Sequence, residues 1–316
     1  MSLLPVEPAH RLKDCPEEER WLIEELWADK AVGIIGGEPK CCKSFLALDM
    51  AVSVASQRPC LRRFRVVRSG RVLLYAAEDA LHVVRSRLDG ICNAAGLSLA
   101  DLDIQVITAP RLRLDLDEDR RRLWETIGAM RPVLLLLDPF VRLHRIDENV
   151  SGEVAPLLAY LRDIQRRFSV AVALVHHARK GAGKVRQGQA LRGSSEFHAW
   201  GDSNLYMRRC GEQLSLSVEH RAAPSLNGIP LALREDENAL ALAVGEDTVT
   251  TPKTQTAPAD HLVDKIEAAL RGANSPMTVV AIREVCRVRT QTLTRTLASL
   301  VESGRLVHTA DGYGLV

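Results

Sequence analysis

The 316-residue chain has little of what marks a secreted, membrane-spanning or metal-stapled protein. Its seven cysteines (Cys15, Cys41, Cys42, Cys60, Cys92, Cys210 and Cys286) contain no C-x-x-C pair and no metal-ligand spacing. A disulfide framework and a zinc module are therefore not expected, and a reducing, cytoplasmic setting is. No signal-like segment opens the chain, and no apolar run approaches the roughly 20 residues needed to cross a bilayer, so no membrane partner is expected. Charge of one sign is missing too. The formal net charge is +2, so any nucleic-acid surface has to be local. No internal repeat is present. The remainder, 46% apolar and 26% charged, has the composition of an ordinary globular protein. The length suits one large α/β domain with a small appendage.

Apolar runs alternate with helix-patterned segments along most of the chain. The runs are 31–35, 71–76, 102–108, 133–137, 170–175, 203–207 and 214–218. Several are almost wholly apolar, as in parallel strands covered on both faces. The segments 44–56, 80–95, 117–130 and 154–168 carry helical periodicity. The expected fold is thus α/β with a mostly parallel, doubly wound sheet. Residues 1–28 read as a lead-in with a short helix over 16–27, and 29–243 as the main domain. Late strands separated by Asn227-Gly228 and by 235–238 read as antiparallel additions at one edge. Residues 244–260 read as a polar linker. Residues 261–316 read as three helices and a hairpin, a winged helix-turn-helix, with Gly304 as a helix C-cap.

The most informative stretch follows the first apolar run. Residues 36–44 read G-G-E-P-K-C-C-K-S, and a helix pattern begins at once. Strand, Gly-bearing loop, Lys-Ser and helix is the order of a phosphate-binding loop, which points backbone N–H groups and a helix N-terminus at a polyphosphate. Gly37, Glu38, Pro39, Lys40, Cys41, Cys42, Lys43, Ser44 and Phe45 are the expected nucleotide contacts. Lys43 would reach the outer phosphates, and the Ser44 hydroxyl would hold Mg²⁺. One position departs from G-x-x-x-x-G-K-[ST]: Cys42 stands where the second Gly belongs, and its side chain threatens to crowd the loop.

Nucleotide hydrolysis also needs an acidic group at the metal and a base that orients water. The run 133–137 ends in Asp138, a candidate for the metal-side carboxylate; the alternative is a loop-capping Asp. Pro139 follows it, so the base is sought elsewhere. Glu78 ends the run 71–77, and ligands of parallel α/β sheets sit beyond the carboxyl ends of strands. Helix capping is the competing role for Glu78, and Asp79 could fill it instead.

With these residues in place, the chain resembles the RecA-type ATPases, and among them the RepA-like hexameric replication helicases of plasmids and mobile elements. The likeness spans about residues 26–233. It rests on 36–44, on Ala76-Ala77-Glu78-Asp79, and on Leu136-Leu137-Asp138 running on to 148–152. It also rests on Val175-His176-His177 through Gly181 and on Arg192-Gly193-Ser194-Ser195. The resemblance implies ATP and Mg²⁺ as ligands, a homo-oligomeric ring, a hexamer, and DNA as partner. It implies a γ-phosphate sensor at His177, or second at His176; two strand-end histidines that simply pack are the plain alternative. It implies a partner-donated Arg, for which Arg221 ranks first and Arg192 second. The basic, Gly-rich segment 180–189, with Lys180, Lys184 and Arg186, looks like the loop that grips DNA in the ring channel. An ordinary surface loop has the same composition.

In the C-terminal region Arg289, Gln291, Thr292 and Arg295 open the expected recognition helix and would face bases or phosphates. Winged helices also dock proteins, and both roles stay open. Between a DNA-stimulated motor and an ATP-switched DNA-binding loader or regulator, the sequence does not decide.

Overall fold

The computed structural model describes residues 4, 6–12, 14, 16–177, 196–236, 239–245, 258–273, 276–286, 293–294, 296–297, 300–301, 305–309 and 312–315. The chain divides into two compact units, residues 1–246 and 247–316.

The first unit opens with a correction. The helix expected over 16–27 does not form. A single 3-10 turn at Glu17–Glu19 leads into a hairpin of β1 (Trp21–Ile23) and β2 (Trp27–Ala28), turned at Glu25 with φ 58°. The hairpin wins because it buries Leu22, Ile23, Leu26 and Trp27 completely, whereas one face of a helix would leave part of that set in water. These residues therefore belong to the core, not to a lead-in.

The chain then runs β3 (Val32–Gly37), α1 (Lys43–Ser56), β4 (Val72–Ala76), α2 (Leu81–Ala94), β5 (Ile104–Val106), α3 (Asp117–Met130), β6 (Leu134–Asp138), α4 (Ser151–Phe168) and β7 (Ala171–His177). A short α5 (Glu196–Trp200) precedes β8 (Ser203–Cys210), β9 (Gln213–His220), β10 (Leu226–Asp236) and β11 (Ala239–Val244). Among the described residues nine strands form one sheet, in the order β11-β10-β9-β8-β3-β7-β6-β4-β5. The strands from β8 to β5 are parallel; β9, β10 and β11 extend the sheet antiparallel.

The apolar runs explain the parallel part. Leu134 to Leu137 have no exposure, because α1 and α2 cover one face and α3 and α4 the other. Ile35, Leu136, Ala173 and Val175 point to the α1 side; Ile34, Leu135, Leu137 and Leu174 point to the α4 side. Strand alternation thus assigns later residues of each strand to a face. Gly33 is required by closeness: a Cβ there would meet the Ser203 carbonyl oxygen at 1.7 Å.

A second correction concerns Asn227-Gly228. These residues do not separate two strands but lie within β10. Gly228, at φ 69°, sits in a register shift between Leu226 and Ile229, the backbone signature of a bulge, and the reversal from β9 falls at 221–225 instead.

The second unit contains α6 (Pro258–Arg271), α7 (Val279–Cys286) and the hairpin β12 (Leu306–Thr309) with β13 (Gly312–Leu315). Ile266, Leu270, Ile282, Leu293, Leu297, Leu300 and Leu306 form its core. Glu267 pairs with Arg271 at 2.9 Å and with Arg305 at 2.6 Å. Among the described residues no helix is long and apolar enough to cross a membrane.

Candidate functional site

The loop between β3 and α1 is built as the sequence predicts, with one conformational surprise. Gly37 is needed where it is, since a Cβ would lie 2.3 Å from the Met207 carbonyl oxygen and 2.7 Å from Cys41 Sγ. Cys42 occupies the left-handed region at φ 64°, ψ 27°, and Lys40 also has φ 64°. The missing Gly is thus a matter of backbone conformation and not only of crowding. An L-residue in this region costs about 1–2 kcal/mol, so two of them make the loop a strained one.

The side chains around that backbone fall into two sets. Lys43 is buried, and its Nζ donates to the Glu38 carbonyl at 2.8 Å and lies 3.8 Å from Cys41 Sγ. Cys41 is also buried and donates from Sγ to the same carbonyl at 2.8 Å; burial pushes its thiol pKa up. Cys42 turns the other way. Its Sγ lies 3.6 Å from Nη2 of Arg209, whose Nε donates to the Lys40 carbonyl at 3.2 Å.

The ends of β4, β6 and β7 supply the acids and the histidines. Asp138 shares its strand face with Leu134 and Leu136 and so points to the α1 side, where it accepts a hydrogen bond from Ser44. Burial raises its pKa from the ordinary 3.8 to about 6; the Ser44 bond and Lys43 oppose the rise, while Asp79 and Glu78 add to it. The loop-capping alternative for Asp138 is displaced by this bond. Glu78 accepts from Arg142 Nε at 2.9 Å, and Asp79 pairs with Arg87, whose guanidinium stands 5.3 Å from the centre of the Phe45 ring. Neither acid caps α2, whose N-cap is Ala80 with no side-chain bond.

The two histidines part company. His176 is 1% exposed, stacks on Phe197 at 4.3 Å and meets Phe140 edge-on at 6.1 Å. It is a core residue on the α4 side. His177 pairs in register with Gly37, and alternation turns it to the α1 side that also carries Asp138.

Arg221 is not brought to this site within one chain. β8 runs parallel to β3 and β9 returns antiparallel, so Arg221 follows β9 at the sheet's opposite end. There it donates to the Ala199 carbonyl and lies 3.5 Å from Asp202. Lys180, Lys184, Arg186, Arg192, Arg289, Gln291, Thr292 and Arg295 lie outside the described residues. Sequence reasoning missed Arg142 and Arg209. Arg142 stands on the turn directly after β6 and had a positional signal; Arg209 had none, because only the register of β8 against β3 brings it near the loop.

Among the described residues no three His, Cys, Asp or Glu side chains cluster as a metal cage. Two hard oxygen donors, Ser44 and Asp138, instead lie in contact beside Lys43. That donor set fits Mg²⁺, which takes one or two protein oxygens and completes its shell with phosphates and water.

The profile of the AAA domain family matches residues 2–183, more than half of the chain. The chain belongs to the AAA domain family. Its phosphate loop is accordingly that of an ATPase. The solved structure of a helicase ATPase domain is similar at a TM-score of 0.52 and 13% identity, over 68% of this chain and 86% of that one. At that identity the likeness establishes the fold, a RecA-like α/β domain.

Proposed function

We propose that this AAA-family ATPase is a ring-forming, DNA-stimulated enzyme that translocates on or unwinds DNA during replication of a plasmid or mobile element. The observation that carries the hydrolytic part is the contact between Ser44 and Asp138 beside buried Lys43, with Glu78 at the neighbouring strand end.

Lys43 leaves the Glu38 carbonyl and takes the outer phosphates of ATP, while the N-terminal N–H groups of α1 meet the same anion. Ser44 and Asp138 hold Mg²⁺, which neutralises charge on the phosphate oxygens when bound. Glu78, once free of Arg142, orients the attacking water and takes its proton. His177, on the same sheet face as Asp138, reports the γ-phosphate to the segment that begins at residue 178. Arg221 acts only across a subunit boundary, since its own site is at the other end of its sheet. Within the ring Lys180, Lys184 and Arg186 grip the DNA backbone, and Arg192 is the reserve trans-acting cation.

The second unit favours a second reading. Its helices and terminal hairpin are compatible with a winged helix, on which Arg289, Gln291, Thr292 and Arg295 would choose a DNA site for an ATP-switched loader. Hydrolysis measured with unrelated single strands, and binding measured with duplexes over a range of salt, separates the two. Stimulation by any single strand, with binding that weakens steeply as salt rises, is expected of the motor. A preference for one duplex sequence without single-strand stimulation would replace the motor by the switch.

A further inference from the structure

We propose that Arg209 is a positioning residue of the phosphate loop, a latch from the neighbouring strand that does what the absent second Gly does in the ordinary pattern. The proposal rests on the nucleotide-binding reading of that loop.

Three observations converge. First, register: Met207 of β8 pairs with Gly37, the last residue of β3, so β8 overshoots β3 and runs on beside the loop. Arg209 is in the overshoot, and its backbone is held from the other side by pairing with Leu214 of β9. Second, contact: the one guanidinium reaches the Lys40 carbonyl at 3.2 Å and the Cys42 sulfur at 3.6 Å. Third, conformation: Lys40 and Cys42 are the two non-Gly residues of this loop with left-handed φ, 64° at each.

Residues with a Cβ resist that region, and a loop left to itself relaxes out of it. The relaxation would swing the peptide units on either side of Cys42, among them the N–H groups that face a phosphate. A planar guanidinium offers donors in two directions at once and can hold both residues; an ammonium is a point donor and can hold one. Cys42 is therefore not a decayed Gly. It is one half of a pair whose other half is 167 positions away.

The test is a KM and kcat comparison on the full chain, with Kd for a fluorescent ATP analogue measured alongside, for Arg209→Ala, Arg209→Lys, Cys42→Gly and Cys42→Gly with Arg209→Ala. Arg209→Ala is expected to raise KM and Kd about tenfold with little change in kcat, the pattern of lost uniform binding. Arg209→Lys is expected to restore part of the affinity. Gly at 42 holds the left-handed conformation unaided, so in that background Arg209→Ala should cost under about threefold, a non-additive pair. Equal cost in both backgrounds, or no effect of Arg209→Ala in the native one, would overturn the latch. A native chain that binds the analogue without turnover would remove the ATPase reading alone, and Kd would still decide the latch. A native chain that binds no nucleotide would overturn both.

Discussion

The two ends of the parallel sheet carry the same kinds of charge and treat them oppositely. At the amino ends, Asp202 pairs with Arg162 and Arg221, accepts from the Val32 N–H at 3.2 Å and donates its own N–H to the Val32 carbonyl at 2.7 Å. Every group there has a fixed partner. At the carboxyl ends Lys43 rests on a backbone carbonyl, Glu78 rests on a surface Arg, Asp138 has its pKa raised to about 6, and the loop beside them is left-handed at two residues. The first arrangement joins strands; the second holds charges on contacts that a phosphate can replace. Charge alone does not make a site. What distinguishes this one is strain and exchangeable pairing gathered where strand ends open.

The comparison breaks most visibly at Glu78. Glu78→Gln is expected to lower ATP turnover by about 10²–10⁴-fold while leaving nucleotide affinity nearly unchanged; a turnover within threefold of native would place the base elsewhere. At the fixed end, Asp202→Ala strands two guanidinium groups and a strand N–H, with an expected loss of about 2 kcal/mol. Thermal unfolding should show it as a lower Tm with unaltered affinity for ATP, and weakened ATP binding would erase the contrast between the ends. The adjacent histidines repeat the contrast over one residue. His176→Ala removes a ring stacked on Phe197 and should lower stability by about 2 kcal/mol. His177→Ala should leave stability nearly intact and reduce DNA stimulation of hydrolysis; the reverse assignment would show the faces to be misread.

The smallest effect is in pH. A folded Asp138 that titrates near 6 instead of 3.8 keeps a proton the unfolded chain has shed, so its contribution to stability is present below about pH 4 and is lost as pH rises through 6. Function moves the other way, because only the carboxylate suits Mg²⁺. Mg²⁺-dependent ATP affinity should therefore rise through pH 6, and a flat profile from 5 to 7 would contradict the buried environment of Asp138.

Much of this was legible in sequence for identifiable reasons. Runs such as Leu134–Leu137 can only be strands covered on both faces, and α3 spans Asp117–Met130 as its periodicity predicts. Lys43, Ser44, Glu78 and Asp138 announced themselves because each sits at the end of such a run. What was not legible depended on partners distant in the chain. The Trp21–Ala28 hairpin is chosen by the core it fills, and Asn227-Gly228 became a bulge because β9 and β10 pair across it. Arg142 meets Glu78, and Arg209 meets Cys42, across separations that no local pattern encodes. The same holds for Arg221, whose distance from Lys43 follows only from the direction of β9.

The most direct measurement is steady-state ATP hydrolysis with Mg²⁺, with and without single-stranded DNA, for the native chain and for Lys43→Ala. The account predicts turnover that DNA stimulates and that Lys43→Ala lowers by at least about 10²-fold. Native turnover no greater than that of Lys43→Ala, under both conditions, would contradict it.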